Sequence, residues 1–400
     1  MNMNPTETAP TNTPANPGSP GWHGRVRFDR NELAGSFGDI GTDLPLIIGI
    51  LLATGADSAS VFIMFGLMQI LTGVVYGLPM PMQPLKARAV LVITQKLSAG
   101  VLYGAGLAIG IIMLALSLSG ALGWIAARIP RCVVRGIQFG LGLSLCSLAL
   151  KTYLPSDGLG GYALAAVGFV IVLVLRQSRR FPAALFVIAL GVIYALLFKV
   201  DAGHIAAGVG LALPKVQVPE WNHILTGLVV LALPQLPLSL SNSVIATHQT
   251  VRDLFPERAV SVRRIGVTYG LINVVNSFLG GIPTCHGCGG LAGHYAFGAR
   301  TGGSVVIYGT LYVVIGLFFS GVSAEVVKVF PQPVLAVILV FEGLTLLLFI
   351  RDVAASHRDL FIALLVALCA AFLPQGYLIG LLLGLVLVYA GGWKKPEAHT

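Results

Sequence analysis

The sequence predicts an all-α polytopic membrane protein with fourteen membrane segments, arranged as two inverted repeats of seven. Two observations predict the membrane class: 56% of the 400 residues are hydrophobic and only 10% are charged, whereas soluble domains carry about 25% charged residues. The apolar runs are also continuous and do not alternate, which excludes a β-barrel. A third observation predicts the repeat: three pairs of similar motifs occur in the same order in the two halves.

Residues 1–30 are predicted to be a disordered cytoplasmic N-terminus. The first 22 residues are rich in Pro, Asn and Thr and lack the basic start and apolar core of a signal peptide. Beyond them, apolar runs separated by charged or Pro/Gly-rich breaks define the candidate segments, several of which approach the length needed to cross roughly 30 Å of hydrocarbon. They begin near Leu33, Ser60, Met82, Gly100, Val133, Tyr162, Pro182, His223, Ile265, Cys285, Gly303, Pro331, Leu360 and Gln375.

Basic residues predict the orientation. If the N-terminus is cytoplasmic, the fourteen-segment arrangement places eighteen lysines and arginines on the cytoplasmic side and five on the other, as the positive-inside rule requires. The segments near Met82 and Cys285 are short and polar, so twelve spans is the main alternative. We expect a multi-pass protein of the plasma membrane, the inner membrane in a bacterium, with both termini cytoplasmic. The net charge of +9 does not indicate nucleic-acid binding, because basic residues flank the spans.

The repeat is visible in three motif pairs, about 190 to 205 residues apart. Each pair joins an interrupted apolar run in one half to a similar run in the other: "TDLPLIIGI" (Thr42–Ile50) with "PQLPLSLSN" (Pro234–Asn242), "YGLPMPMQP" (Tyr76–Pro84) with "GGIPTCHGC" (Gly280–Cys288), and "IPRCVVRGI" (Ile129–Ile137) with "FPQPVLAVI" (Phe330–Ile338). Paired Gly/Pro interruptions in inverted repeats indicate a transporter's binding site near the bilayer midplane.

The second pair predicts that segments 3 and 10 are broken half-helices. A helix that begins inside the membrane leaves up to four N–H groups unpaired, which hydrocarbon does not tolerate unless the break lines a polar cavity. Those donors and the helix dipole favour an anion. Helix starts at Gln83–Lys86 and His286–Gly290 are therefore expected to share one anion. The alternative is that both stretches are loops or packing kinks.

Four longer motifs resemble the molybdate transporter family, whose distant relatives are the sulfate permeases. They are "FGDIGTDLPLIIGI" (Phe37–Ile50), "PMPMQPLKARAV" (Pro79–Val90), "PQLPLSLSNSVIAT" (Pro234–Thr247) and "PTCHGCGGLAGHYAFGARTG" (Pro283–Gly302). The resemblance covers roughly residues 30–390. It implies the 7+7 inverted-repeat fold of sulfate and uracil permeases, with core-domain segments in 31–121 and 222–322 and gate-domain segments in 122–200 and 329–392. The C-terminal regulatory domain that sulfate permeases usually add is expected to be absent.

Three residues depart from the family pattern. Asp43 stands where an apolar or aromatic residue is expected after "GDIGT", Cys288 follows "CHG" where a small residue is common, and Arg88 accompanies Lys86. An added acid at the site would alter coupling or substrate. Asp43 would repel an anion when ionised, so we expect it to bind a proton together with the anion, or to pair permanently with Lys86. Asp39 and Asp43 are the predicted coupling residues.

The predicted substrate ligands are mostly neutral donors. An amide such as Gln83 donates two hydrogen bonds, an intramembrane cation such as Lys86 is a functional candidate by default, and a histidine such as His286 is expected to donate a hydrogen bond to an oxyanion, an unperturbed imidazole titrating near neutral pH. The alternatives are an ion pair for Lys86, a capping role for His286, and helix–helix hydrogen bonds for the serines and asparagine. The full set is Thr42, Gln83, Lys86, Ser239, Asn242, Cys285, His286, Gly287, Cys288 and Gly289, with Ser239 and Asn242 included because of the resemblance.

No metal or cofactor is expected. Cys285 and Cys288 form a C-x-x-C spacing, but Gly289 replaces the histidine of a c-type haem motif, and no Cys/His cluster completes a zinc site. The glutamate Glu342, in the predicted gate, is a candidate proton relay or a buried cap.

The sequence therefore predicts a secondary-active transporter of a tetrahedral oxyanion, molybdate first, in which the core moves past the gate like an elevator. Sulfate, tungstate or another dianion is the nearest alternative. Proton-coupled nucleobase uptake is disfavoured, because no Asp or Glu lies between Glu220 and Arg252, and only Glu325 lies between Arg264 and Lys328. An intramembrane enzyme is disfavoured because H-E-x-x-H is absent. A channel function stays an alternative. The sequence also leaves open whether a proton or another cation is co-transported, and whether the chain forms a homodimer.

Overall fold

The structure is a computed structural model that describes residues 25–85, 91–93, 95–126, 128–175, 183–199, 209–258 and 260–390. Most of this is helical. The first half contains α1 Arg30–Ser36, α2 Ile40–Thr54, α3 Ser58–Tyr76, α4 Ala99–Leu118, α5 Ala121–Ala126, α6 Arg131–Leu148, α7 Gly158–Leu175 and α8 Ala183–Phe198. The second half contains α9 Trp221–Gly227, α10 Leu233–Leu238, α11 Thr247–Leu254, α12 Val262–Phe278, α13 Cys288–Ala296, α14 Gly303–Phe318, α15 Ser320–Val329, α16 Gln332–Leu348, α17 His357–Phe372 and α18 Gly376–Ala390.

Several helices continue through turns of a different pitch. A π-helical turn at Ala149–Tyr153 extends α6, and a 3-10 turn at Phe349–Val353 extends α16. The π-helical stretches Leu228–Ala232 and Ser239–Ala246 connect α9, α10 and α11. The proline-containing motif Pro234–Asn242 thus lies within a continuous but irregular helical rod, and π-turns of this kind are frequent at functional sites.

Six helical stretches in the described part of the chain are long and apolar enough to cross a membrane. They are Ser58–Tyr76, Ala99–Leu118, Arg131–Tyr153, Gly158–Leu175, Trp221–Leu238 and Gln332–Val353. Four more are apolar but shorter: Asp43–Thr54, Leu185–Phe198, Gly303–Phe318 and Gly376–Ala390. The chain is therefore a multi-pass membrane protein, while the count of fourteen segments stays a prediction.

Two short strands interrupt the helices where the Gly/Pro motifs occur. β1 (Met82–Pro84) pairs antiparallel with β2 (Thr284–His286), with Gln83 opposite Cys285. Helix α13 begins two residues after β2, within the stretch His286–Gly290 where the sequence places a helix start. The matching stretch after β1 lies partly outside the described residues. The two interruptions therefore meet through backbone hydrogen bonds across an antiparallel pair.

Polar side chains from the neighbouring helices satisfy the outer edges of this sheet. The Gln69 amide nitrogen donates to the Met82 carbonyl (2.7 Å) and its oxygen accepts from the Met82 N–H (3.0 Å). Thr72 donates to the Met80 carbonyl (2.8 Å) in the first half, and Asn276 donates to the Ile282 carbonyl (2.9 Å) in the second. These bonds replace the water that hydrocarbon does not provide.

Glycines allow helices from the two halves to pack closely. A side-chain carbon on Gly142 would lie 2.7 Å from the Gly343 carbonyl oxygen, and one on Gly343 would lie 2.9 Å from that of Gly142. The same reciprocal approach occurs between Gly110 and Gly270, at 3.0 and 2.9 Å. These partners lie about 200 and about 160 residues apart, so each contact joins a helix of the first half to a helix of the second.

The helices form two packing groups. In the first, α3 packs against α14, and α4 packs against α9 and α12. The same group includes β1 against α3, β2 against α12, and α13 against α11. In the second, α6 packs against α16, α17 and α18, and α16 also packs against α7. Helix α2 touches β1 of the first group as well as α8, α15 and α16. Apart from α2, the first group lies in the ranges predicted for the core domain, and the second lies in those predicted for the gate domain. The roles of the two groups in transport stay predictions.

An extended linker before α9 is fastened to the ends of the first group. The Lys215 ammonium lies 2.6 Å from an Asp57 carboxylate oxygen, and the Lys215 N–H donates to the Ser60 hydroxyl. Further along, the Gln217 N–H donates to the Phe278 carbonyl (2.7 Å). Burial opposes ionisation of Asp57, but hydrogen bonds with Lys215 and Ser60 outweigh it, so the pKa of Asp57 lies below its usual value.

Candidate functional site

A cavity of about 150 Å³ lies beside the strand pair, between the two packing groups. The first group contributes strand, rod and helix-start residues: Gln83, Gln235, Leu238, Asn242, Ser243, Cys285, His286, Gly287, Cys288 and Gly289. The second contributes Gln138, Leu141, Glu342, Thr345, Leu346 and Phe349. Seven of the predicted ligands therefore line one cavity, and no arginine or lysine is present among its described lining residues.

Gln83 is held by an acid at the back of the cavity. Its amide nitrogen donates to both carboxylate oxygens of Asp39, at 2.8 and 2.6 Å, and both side chains are buried. A side chain on Gly287 would overlap the Gln83 amide oxygen, and one on Gly290 would overlap Asp39 Oδ2. Only glycine fits at these two positions, so the first turn of α13 lies directly against the Asp39 carboxylate.

His286 lines the cavity but its Nε2 atom is engaged elsewhere. This atom lies 2.8 Å from the Thr268 hydroxyl, which in turn lies 2.5 Å from the Tyr76 hydroxyl. The Tyr76 ring also packs edge-on against the imidazole. The fully buried ring is thus fixed by α3 and α12, and Nε2 is committed to Thr268 in this arrangement.

Other predicted residues lie near the cavity or outside the described part. Ser239 does not line it; its hydroxyl lies 2.8 Å from that of Tyr269, and it accepts from Gln235 at 3.4 Å. Asp43 is fully buried on α2, close enough to Tyr308 and Tyr312 of α14 for electrostatic interaction. Lys86 and the side chain of Thr42 lie outside the described residues.

The two cysteines at the site are not joined in a disulfide. Cys285 is buried on β2, and Cys288 is half-buried at the start of α13. Among the residues that the structure describes, no group of three or more His, Cys, Asp or Glu side chains could hold a metal ion.

Gln138 is the residue that the sequence did not suggest. Its side chain is fully buried on α6, and its amide oxygen accepts from Arg135 Nη1 at 2.8 Å. Its amide nitrogen has no hydrogen-bond partner among the described residues. Because Arg135 can only donate, the oxygen must face Arg135 and the NH₂ group must point elsewhere. The cavity thus contains a buried, uncommitted donor.

Gln235, Ser243 and Thr345 are also lining residues that the sequence did not suggest, whereas Glu342 was suggested only as a relay or cap. Each is a polar residue inside a mostly apolar helical stretch, where such side chains commonly form helix–helix contacts. The useful signal would have been position. Gln138 follows the motif Ile129–Ile137 by one residue, and Gln235 lies inside Pro234–Asn242.

A second, larger cavity of about 740 Å³ also lies between the two groups. It is lined by the later part of α6 and its π-turn, the start of α18 and the middle of the rod, including Ser144, Cys146, Lys151, Pro234 and Tyr377. Pro234 lines this cavity and Gln235 lines the smaller one. The rod therefore separates two spaces along one interface.

Comparison with known proteins identifies similar sequences and folds. A family model described as "Molybdate transporter of MFS superfamily" matches residues 31–145 and 227–346. Molybdate transporter 1 of Arabidopsis thaliana is 33% identical over 381 residues, covering 84% of this chain and 82% of the plant protein. The transmembrane domain of the cyanobacterial bicarbonate transporter BicA matches with TM-score 0.65 and 18% identity, over 90% of this chain and 98% of that domain.

A second solved structure, the murine anion transporter Slc26a9 in the inward-facing state, matches with TM-score 0.68 and 14% identity. The match covers 94% of this chain and 71% of the murine one. At these identities the two solved structures show a shared fold alone.

Proposed function

The chain belongs to the molybdate transporter family, and on that premise we propose that it is a secondary-active transporter of a tetrahedral oxyanion, with molybdate as the first substrate. Sulfate and tungstate are close alternatives, since they are dianions of the same shape. The proposed location is the plasma membrane, with both termini in the cytoplasm. The proposal leaves the assembly open between a single chain and a homodimer.

The Gln138 amide carries the proposal. It is a fully buried NH₂ group in the small cavity without a hydrogen-bond partner among the described residues, and an unsatisfied buried donor costs about 1–3 kcal/mol. An oxyanion supplies the missing acceptor. Neutral donors also suit a carrier, because they bind a dianion without the strength of an arginine clamp, so release is not prevented.

The helix start opposite Gln138 supplies further donors. Helix α13 begins at Cys288, and its first N–H groups lie beside cavity residues Gly287 and Gly289. We propose that these groups bind the anion together with Gln83 and Asn242 on one side, while Gln138 binds it from the other. Segments 3 and 10 then act as half-helices in a fourteen-segment, 7+7 arrangement.

The position of the cavity supports alternating access. Its walls come from both packing groups, so a shift of one group relative to the other would open or close it. We propose that the first group is a core that carries the anion past the second group, the gate, largely as a rigid body. Asp39 and Asp43 are the proposed coupling residues, and a proton is the proposed co-transported ion.

Purified protein in proteoliposomes tests the function. Uptake of labelled molybdate should be competed by tungstate and sulfate and not by uracil. Gln138→Leu should weaken molybdate binding by about 10- to 100-fold, since a hydrogen bond to a charged group is worth about 1.5–3 kcal/mol. The control Gln249→Leu removes an exposed glutamine that bonds Asp253. Absence of oxyanion uptake, or competition by uracil alone, would refute the proposal.

A further inference from the structure

We propose that Asp39 is a proton-binding switch that decides which end of the Gln83 amide faces the substrate. The inference rests on the oxyanion function proposed above and assigns the coupling proton to one carboxyl. It follows from the contact between Asp39, Gln83 and the start of α13.

The orientation of the Gln83 amide is fixed by its partner. An ionised carboxylate only accepts hydrogen bonds, so the two short contacts to Asp39 require the NH₂ group of Gln83 to point at it. The amide oxygen then lies on the opposite side, against Gly287. Both Gln83 and Gly287 line the cavity. With Asp39 ionised, Gln83 therefore presents an acceptor where an oxyanion needs a donor.

Asp39 also competes with the substrate for the helix start. Its Oδ2 atom lies against Gly290 in the first turn of α13. This is the positive end of the helix dipole, which favours one negative charge. An ionised Asp39 already supplies that charge, so a dianion entering the cavity meets both a carboxylate and an amide oxygen. The ionised form is thus the wrong form for binding.

Protonation reverses both effects. A neutral Asp39 donates its O–H to the Gln83 oxygen after the amide turns by half a rotation about its last side-chain bond. The two N–H groups of Gln83 then face the cavity and bind the oxyanion. One O–H bond forms on Asp39 when the anion enters and breaks when it leaves. The proton comes from the water on the entry side and departs to the water on the exit side.

Other titratable groups near Asp39 must be separated from it by experiment. Asp43 lies on the same helix, and Tyr308 and Tyr312 of α14 interact electrostatically with Asp39. His294 is the buried titratable group of α13, and Glu32 belongs to α1, which packs against α13. Lys86, outside the described residues, follows β1 by two positions. Glu342 lines the same cavity on α16, which packs against α2.

Molybdate binding to the purified protein, measured across pH, tests the switch. Wild-type affinity should rise as pH falls, by up to about tenfold per pH unit because one proton is taken up with the anion. Asp39→Asn carries an amide that donates to the Gln83 oxygen as the protonated acid would. It should bind molybdate tightly at every pH and exchange it, but lose proton-driven accumulation. Asp253→Asn changes an exposed acid of α11 that does not line the cavity; it is the matched control and should keep the wild-type pH slope.

Infrared difference spectra of the wild-type protein give a readout that does not depend on a variant folding. Adding molybdate at neutral pH should produce a protonated-carboxyl band, which Asp39→Asn should lack and Asp253→Asn should retain. A pH-independent wild-type affinity, or an unchanged slope in Asp39→Asn, overturns the switch. Failure of the folded wild-type protein to bind any oxyanion at any pH would instead refute the proposed function.

Discussion

Gln69 and Asn273 satisfy opposite edges of the β1–β2 pair with the same two hydrogen bonds. Gln69 bonds the N–H and carbonyl of Met82, and Asn273 bonds those of Thr284, at 3.0 and 2.7 Å in both cases. Each side-chain amide therefore forms the two hydrogen bonds that a neighbouring strand would form with that residue. The two residues belong to α3 and α12, one from each half, so the two halves support the interruption with equivalent side chains.

Replacing either amide should destabilise the protein by a similar amount. Gln69→Leu or Asn273→Leu leaves a buried N–H and a buried carbonyl without these partners, at about 1–3 kcal/mol for each group left unsatisfied. Thermal unfolding in detergent measures the effect. Thr310→Val is the control, because its exposed hydroxyl bonds only its own helix. Melting temperatures equal to wild type in both leucine variants would show that the edges are satisfied in another way.

Glu32 should be needed as a carboxylate. It is buried on α1 and accepts three backbone hydrogen bonds, from Arg300 and Thr301 at one oxygen and from Ser304 at the other. Glu32→Gln turns one acceptor into a donor facing a donor, which should lower stability by about 1.5–3 kcal/mol. The comparison variant, Glu257→Gln, changes an exposed acid. Equal unfolding temperatures for the two variants would contradict this role.

Close helix contact should make Gly66 intolerant of a side chain. A methyl group there would overlap the Gly309 carbonyl oxygen, and overpacking of this kind costs about 1–3 kcal/mol. Gly123, on α5, has open space around it, so Gly123→Ala should be neutral or slightly stabilising. Yield and melting temperature of the two alanine variants decide the matter; a Gly66→Ala protein as stable as Gly123→Ala would exclude close contact.

Cys146 provides a test of orientation. It lines the larger cavity and is half-buried, whereas Cys132 and Cys369 are buried. With cytoplasmic termini, as proposed, this end of α6 faces the outside. A membrane-impermeant thiol reagent added to sealed cells should label the wild-type protein, and Cys146→Ser should lose that labelling while Cys132→Ser keeps it. Labelling of Cys146 only in inside-out vesicles would reverse the proposed topology.

The ion pair between Asp57 and Lys215 of the extended linker should make a small, pH-dependent contribution to the free energy of unfolding. Because the folded-state pKa of Asp57 is lowered, its contribution is complete above the ordinary value of 3.8 and is lost as pH falls through the folded pKa. The Lys215 side chain is 66% exposed, so the expected size is below about 1 kcal/mol. Asp57→Asn preserves a good helix cap and should remove this part of the acid dependence of melting. An unchanged pH profile would contradict it.

The positions of the two interruptions could be predicted from the sequence because Gly and Pro act locally. A proline or a run of glycines stops a helix wherever it occurs, so the motifs ending at Pro84 and Cys288 identified the chain breaks. The strand pairing between them could not be predicted in the same way. It joins residues about 200 positions apart, and three-residue strands are too short to show alternation.

The supporting amides and the cavity-lining amide could not be predicted, for a related reason. Gln69, Gln138 and Asn273 each lie in a mostly apolar helix that carries other polar residues as well, and a polar residue in such a helix usually bonds a neighbouring helix. What distinguishes them is the partner: a strand edge for Gln69 and Asn273, and a cavity for Gln138. The partner is set by tertiary packing, so only the three-dimensional arrangement reveals it.

The β1–β2 pair also constrains how the chain is made. Met82 leaves the ribosome about 200 residues before His286, its partner across the pair, which at 5–20 residues per second is a delay of about 10–40 s. Throughout this time the inner edge of the first strand has nothing to bond, in a membrane that tolerates no free backbone groups. Until β2 has been synthesised, the backbone groups of β1 must therefore be hydrogen-bonded by the insertion machinery or by water inside that machinery. Neither half can complete its fold alone, and the molecule becomes one unit only late in its synthesis.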